Sequence, residues 1–197
     1  MQWKTSALIC YMKHKGSDYV RFSPSFCLYM ALLLLVLPLQ WVMAMVISIV
    51  VHEVSHILMI RMLRLPIYRI DVHPMHVHIC TDAMSDLQEL CCAAAGPLGG
   101  AGLIFLAKWL PGIALCATFH SLYNLLPMYS TDGGRMLRCA SHLLLPAKFA
   151  SRLSSVVEMI VTCFLILLGI YGAFRMRGGL IPVICVAALI VSNYKHK

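Results

Sequence analysis

Apolar residues run along the chain in six stretches, at about 22–37, 40–62, 87–110, 112–127, 153–174 and 180–194, each bounded by charged or turn-forming residues. A bilayer core takes roughly 20 helical residues to cross, so the pattern predicts an all-α polytopic membrane protein with about six transmembrane helices. Several runs are short for a full crossing, so either their boundaries lie elsewhere or the bilayer thins locally around the protein. Pro38 and the Pro111–Gly112 pair punctuate tight hairpins between neighbouring runs. Between the second and third runs the pattern changes. Residues 66–82 alternate β-branched or aromatic side chains with polar ones and break at His73–Pro74. That period of two predicts a small β-hairpin on the cytoplasmic side.

Composition agrees with the pattern: 60% of residues are hydrophobic and 12% charged, too apolar for a soluble core to hide. No linker-like or low-complexity stretch divides the chain, so a single membrane-embedded domain spanning 1–197 is expected, with its chemistry at about 40–140. The net charge of +8 does not mark a nucleic-acid binder, because the basic residues sit in short clusters between apolar runs without interleaved aromatics. They report orientation instead. Thirteen Lys and Arg fall on the side of the amino terminus and three on the other side, at Lys108, Arg175 and Arg177. The positive-inside rule then puts both termini in the cytoplasm. The first 23 residues are polar and basic, so a cleaved signal peptide is not expected. The nine cysteines form no C-x-x-C and lie mostly in apolar runs, as small buried hydrophobes do, and no disulfide framework is expected.

The second run contains His52-Glu53-Val54-Ser55-His56, an H-E-x-x-H pattern. Two histidines four apart share one helix face, so both imidazoles can reach one zinc ion while Glu53 addresses a water on it. With nine His and three Glu in the chain, about 0.006 matches to this pattern arise by chance. The residues alone leave three readings open: a protease, a metal-ion transporter or binding protein, and a buried polar network between helices. A catalytic zinc needs a third protein ligand and an open position. Asp132 is the best candidate, because it follows Asn124-Leu-Leu-Pro127 and precedes Gly133-Gly134, where irregular backbone at membrane depth must line a cavity or pack in protein.

These motifs resemble the site-2 protease family of intramembrane zinc metalloproteases. The resemblance rests on His52 to His56, on Ala95-Gly96-Pro97 in the third run, and on the N-x-x-P-x-x-x-x-D-G of Asn124 to Gly133, and it covers about half the chain. It implies that His52, His56 and Asp132 bind one catalytic zinc, that Glu53 is the general acid/base, and that Asn124 and Pro127 shape the site near the scissile bond. The N-L-L-P-x-x-x-x-D-G-G wording looks most like the bacterial stage IV sporulation branch, which acts on a membrane-associated sigma-factor precursor. The expected partner is accordingly a membrane or membrane-associated protein substrate, with room for a regulatory membrane protein, and the expected location is a bacterial cell membrane.

Other residues carry weaker signals. His76 and His78 would share a strand face, His120 lies one helical turn before Asn124, and Glu158 stands alone in the fifth run. An interfacial histidine pair, a packed histidine and a partnered carboxylate are the plainer readings. One structural expectation remains for residues 67–80. A transmembrane substrate must unwind before its carbonyl can be attacked, and a strand edge beside the zinc would hold the freed backbone by β-augmentation.

Overall fold

The helices begin where the sequence supplies caps. Ser23 accepts a hydrogen bond from the Phe26 amide at 3.2 Å and Pro24 sits in the first turn of α1 (Pro24–Val36). After Pro38, α2 (Leu39–Met62) runs for 24 residues. Its exit is sharp, because Arg64 takes a left-handed φ of 56° that turns the chain into β2 (Ile67–Val72). Strand β2 pairs antiparallel with β3 (Val77–Thr81) and parallel with β1 (Val20–Phe22), giving a three-stranded sheet of order β1-β2-β3. A reciprocal capping box between Ser85 and Gln88 starts α3 (Asp86–Gly102), which continues into a 3-10 turn at Leu103–Leu106. Then come α4 (Pro111–Asn124), α5 (Asp132–Leu144) and α6 (Ala147–Arg175). This computed structural model describes residues 19–73 and 77–175, together with Val186, Ala187, Ile190 and Val191. Apart from those four residues, the predicted run at 180–194 lies outside the described residues, as do Lys4, Lys13 and Lys15, Pro74, His76 and the last residues of the chain.

The protein is mostly helical, as the apolar runs predict, and three of its helices are long and apolar enough to cross a membrane: Leu39–Met62, Asp86–Leu106 and Ala147–Arg175. They coincide with the second, third and fifth runs. The first and fourth runs form helices of 13 and 14 residues, which rise only about 20 Å each against a hydrocarbon core of about 30 Å. Two elements exceed the expectation. The anticipated hairpin is joined by β1, whose three residues are too few to show a period of two. Helix α5 falls outside every apolar run, because one face carries Arg135, Arg138 and His142.

Burial is inverted relative to a soluble domain. Leu35, Phe105 and Phe174 are each more than four-fifths exposed, and α6 buries only Ala150 and Gly169. The interior is built from small and polar side chains, including Ser48, Ala93, Ala117 and Ser121. Small residues let helices approach closely where lipid already solvates the large apolar ones, which marks an integral membrane protein. Gly99 shows how close: a Cβ there would collide with the Ser55 side chain, which donates its own hydroxyl to the Val51 carbonyl at 2.8 Å.

The charge asymmetry and these helices make a directional prediction. In a background without native cysteines, Arg64→Cys and Lys148→Cys should react with a membrane-impermeant maleimide from one face of sealed vesicles, and Lys108→Cys and Arg175→Cys from the other. Labelling of positions 148 and 175 from the same face would remove α6 as a crossing.

Candidate active site

One face of α2 presents His52 and His56, both buried. The second imidazole is fixed from behind: His56 Nδ1 lies 2.7 Å from the Cys92 carbonyl of α3 and donates to it. That bond leaves the lone pair of the neutral ring on Nε2, facing the interior. There it meets His52 Nε2 at 3.2 Å and Asp132 Oδ2 at 3.1 Å, while His52 Nε2 lies 3.0 Å from the same carboxylate oxygen.

Asp132 reaches this point because the chain stops being helical after Asn124. Pro127 cannot donate a backbone hydrogen bond, and Thr131 gathers the loop by donating to the Leu126 carbonyl and capping α5 at the Gly134 amide. Asp132 then occupies the first turn of α5, where the helix dipole favours a carboxylate. Gly133 and Gly134 are required by space. A Cβ on either would run into the carbonyls of Leu125, Leu126 or Met128. The other carboxylate oxygen, Oδ1, lies 3.7 Å from Arg135 Nη1, and Arg135 Nε donates to Glu89 Oε1 at 3.3 Å.

Three acceptor atoms pointing at one another out of water repel unless a cation stands among them. The donor set fits zinc. Tetrahedral zinc with ligands at about 2.0–2.1 Å separates neighbouring ligand atoms by about 3.3 Å, close to the gaps of 3.0, 3.1 and 3.2 Å here. The space is kept by Gly96, where a Cβ would come 2.7 Å from His52 Nε2 and closer still to His56 Nε2. His52, His56 and Asp132 thus form a buried candidate metal centre, as the sequence anticipates.

A cavity of about 490 Å³ opens onto this centre and is lined by Glu53, His78, His120, Asn124 and Arg135 among others. Glu53 and Asn124 are therefore brought to the ligands. Pro127 is not: it lines a separate pocket between α5 and α6 with Arg138 and Glu158. His120 packs edge-on against the His52 ring at 4.7 Å between centroids, and its Nε2 takes a hydrogen bond from the Asn124 amide at 3.1 Å. Burial holds His78, in the cavity wall, below its ordinary pKa, so it faces the site as a neutral imidazole near pH 7. Burial pushes the Cys139 thiol up to about 11, which leaves it a poor nucleophile.

Sequence reasoning passed over Arg135 and Glu89 as site residues, although Arg135 stands at i+3 from Asp132, a spacing that puts both on one helix face. A second cluster, Asp71, His78 and Cys80, has metal-ligand spacing. Its carboxylate is already engaged, since Arg69 Nε donates to Asp71 at 2.8 Å. Among the described residues Cys27, Cys91, Cys92, Cys116, Cys139 and Cys163 are free.

Among solved structures, a site-2 protease from Methanocaldococcus jannaschii is similar to this chain with a TM-score of 0.59, covering 83% of this chain and 85% of that one at 18% sequence identity. At that identity the likeness shows the shared fold. No protein-family model matches the chain, and no curated protein matches it.

The tightness at Gly96 gives a test of the centre. Gly96→Ala should leave the protein folded, since alanine favours helix, and lower zinc affinity by more than about 100-fold, beyond what loss of an outer hydrogen bond costs. His52→Ala, His56→Ala and Asp132→Ala should fall as far. Competition with a chromophoric chelator on the purified proteins measures it, and unchanged zinc binding in Asp132→Ala would remove that carboxylate from the ligands.

Proposed function

We propose that this protein is an intramembrane zinc metalloendopeptidase of the site-2 protease type, hydrolysing a peptide bond in or near a transmembrane segment of another membrane protein. The observation that carries the reading is Glu53. It sits between two ligand histidines yet supplies no ligand atom to the His52, His56 and Asp132 cluster, and it lines the cavity that opens onto them. The fold shared with a site-2 protease supports it. A metal-ion transporter would use the same ligands but needs further sites along a path. Among the described residues the other metal-spaced cluster has its carboxylate, Asp71, already held by Arg69.

His52, His56 and Asp132 would hold the ion. Bound zinc supplies a Lewis acid, polarising the scissile carbonyl and bringing the pKa of a water towards neutrality. Glu53 takes the proton from that water as it attacks and delivers it to the leaving amine, so one carboxylate serves as base and then acid. Asn124 faces the same cavity with its amide nitrogen engaged by His120, which fixes its orientation beside the substrate backbone. Buried low-dielectric walls strengthen each of these interactions.

The substrate enters as an extended strand. Strand β3 pairs with β2 along one edge, and its residues Val77, His78, Ile79 and Thr81 line the cavity. An unwound substrate adds to the other edge, where backbone hydrogen bonds replace those lost from its helix. The resemblance of Asn124 to Gly134 to the sporulation branch supports a membrane-tethered regulatory protein, such as a sigma-factor precursor or an anti-sigma factor, as the substrate, in a bacterial cell membrane with both termini of the protease cytoplasmic.

Two experiments test the mechanism and the clamp. Glu53→Gln should keep zinc while cleavage of a reconstituted transmembrane substrate falls by about 10²–10⁴-fold, the usual worth of a general acid/base; cleavage within a few-fold of the parent protein would strip Glu53 of that role. Proline placed singly at Val77, His78, Ile79 and Thr81 should abolish cleavage at alternate positions with zinc retained, because proline removes one ladder donor at a time. Full cleavage by all four folded variants would rule out the strand clamp.

A further inference from the structure

Zinc-ligating histidines present one ring nitrogen to the metal and donate the other N–H to a fixed acceptor, which sets the tautomer and holds the ring still. His56 has its acceptor in the Cys92 carbonyl. His52 does not: its Nδ1 is fully buried and has no hydrogen-bond partner. A ring that offers Nε2 to the metal carries its proton on Nδ1, and leaving that donor unsatisfied in a buried site is costly. The matching group stands across the helix crossing. Ser121 of α4 is buried, and its Oγ likewise has no partner, not even the carbonyl one turn back that buried helical serines commonly use. Both orphan atoms border the same point. A Cβ built on Gly100 of α3 would collide with Ser121 Oγ and stand 3.9 Å from His52 Nδ1. The rival partner is engaged elsewhere, since His120 Nε2 is held by Asn124.

We infer that Ser121 is the positioning residue for His52, its hydroxyl accepting the Nδ1–H across the notch left by Gly100, directly or through one buried water. The inference rests on the zinc reading above. The hydroxyl then rotates its own proton towards the remaining polar atoms at the crossing, among which Ser48 Oγ, one helical turn before His52, is also buried without a partner. Gly100 is glycine because the hydroxyl occupies the place its side chain would take.

Zinc affinity tests the assignment, measured by chelator competition on purified protein. Ser121→Ala should bind zinc about 10–100-fold more weakly than the parent protein, the range for losing an outer hydrogen bond to a ligand. Its helices should remain intact, because alanine is smaller and favours helix. The second variant moves the hydroxyl across the interface. With Ser121→Ala the nearest remaining atom of residue 121 to a Cβ at position 100 is its own Cβ at 3.8 Å, an ordinary contact, so Gly100→Ser fits there and places an oxygen within reach of Nδ1. The double variant Gly100→Ser/Ser121→Ala should regain most of the lost affinity. Equal zinc binding in Ser121→Ala overturns the inference, and so does a loss that the double variant fails to recover, since that is the behaviour of a merely structural serine. A parent protein that binds no zinc would instead overturn the metalloprotease reading on which the inference stands.

Discussion

Everything in this molecule is arranged around a repulsion. Three acceptor atoms, on His52, His56 and Asp132, are brought within 3.2 Å of one another in the interior of a membrane protein. A carboxylate in that setting costs several kcal/mol, roughly, unless it is paired, and the pairing must come from a cation or from fixed dipoles. The surrounding fold answers group by group. The Cys92 carbonyl accepts the N–H of one imidazole, Arg135 and the first turn of α5 face the carboxylate, and Glu89 in turn holds Arg135. The small residues follow from the same demand. Helices carrying ordinary side chains at positions 96, 133 and 134 could not come close enough for the ligands to meet.

The parts of this arrangement that were legible in the sequence are those fixed by short spacing. His52 and His56 announce a shared face because four residues make about one helical turn, and Asp132 is marked by the proline before it and the glycines after it. The alternation of residues 67–72 and 77–81 likewise shows as strands. What escaped was set by distant partners. Strand β1 exists because β2 offers it an edge, and its three residues carry no signal of their own. Helix α5 reads as polar because its charged face turns to Glu89 and the cavity, not to water at large. The Cys92 carbonyl and Ser121 hydroxyl matter through contacts 36 residues away in one case and across a helix crossing in the other, and no local pattern encodes either. Span counting was limited by a different cause: α1 is apolar enough for a membrane but at 13 residues too short to cross one alone, and α4 is as short and ends in the polar residues His120, Ser121 and Asn124.

The inverted surface explains how a buried cluster of polar ligands coexists with lipid-facing side chains. Large side chains such as Leu35, Phe105 and Phe174 face outward, so the polar interior is sealed along its length by the helices themselves. The opening lies where the sheet meets α2 and α5, among the short elements that lie outside the long apolar helices. Arg135 and Arg138 are among the residues that line this opening. Through it Glu53 and the ligands keep a path to water while most of their walls are protein.

The chemistry constrains the form in which a substrate can use that opening. The cavity over the ligands has a volume of about 490 Å³ and is open on one side. A substrate docked there as a helix would keep its carbonyls tied to amides one turn on and turned away from attack. An extended chain rises about 3.3 Å per residue against 1.5 Å in a helix, so a few unwound residues thread the same space and present a bare carbonyl. Unwinding frees one backbone pair after another, each costing about 1–3 kcal/mol if left unsatisfied away from water. Among the described residues, strand β3 is the element along this wall whose backbone can take up such groups in series, because the helices bond theirs internally. On the proposed reading the sheet belongs to the active site, because its free β3 edge is where the backbone groups of an extended substrate would find partners.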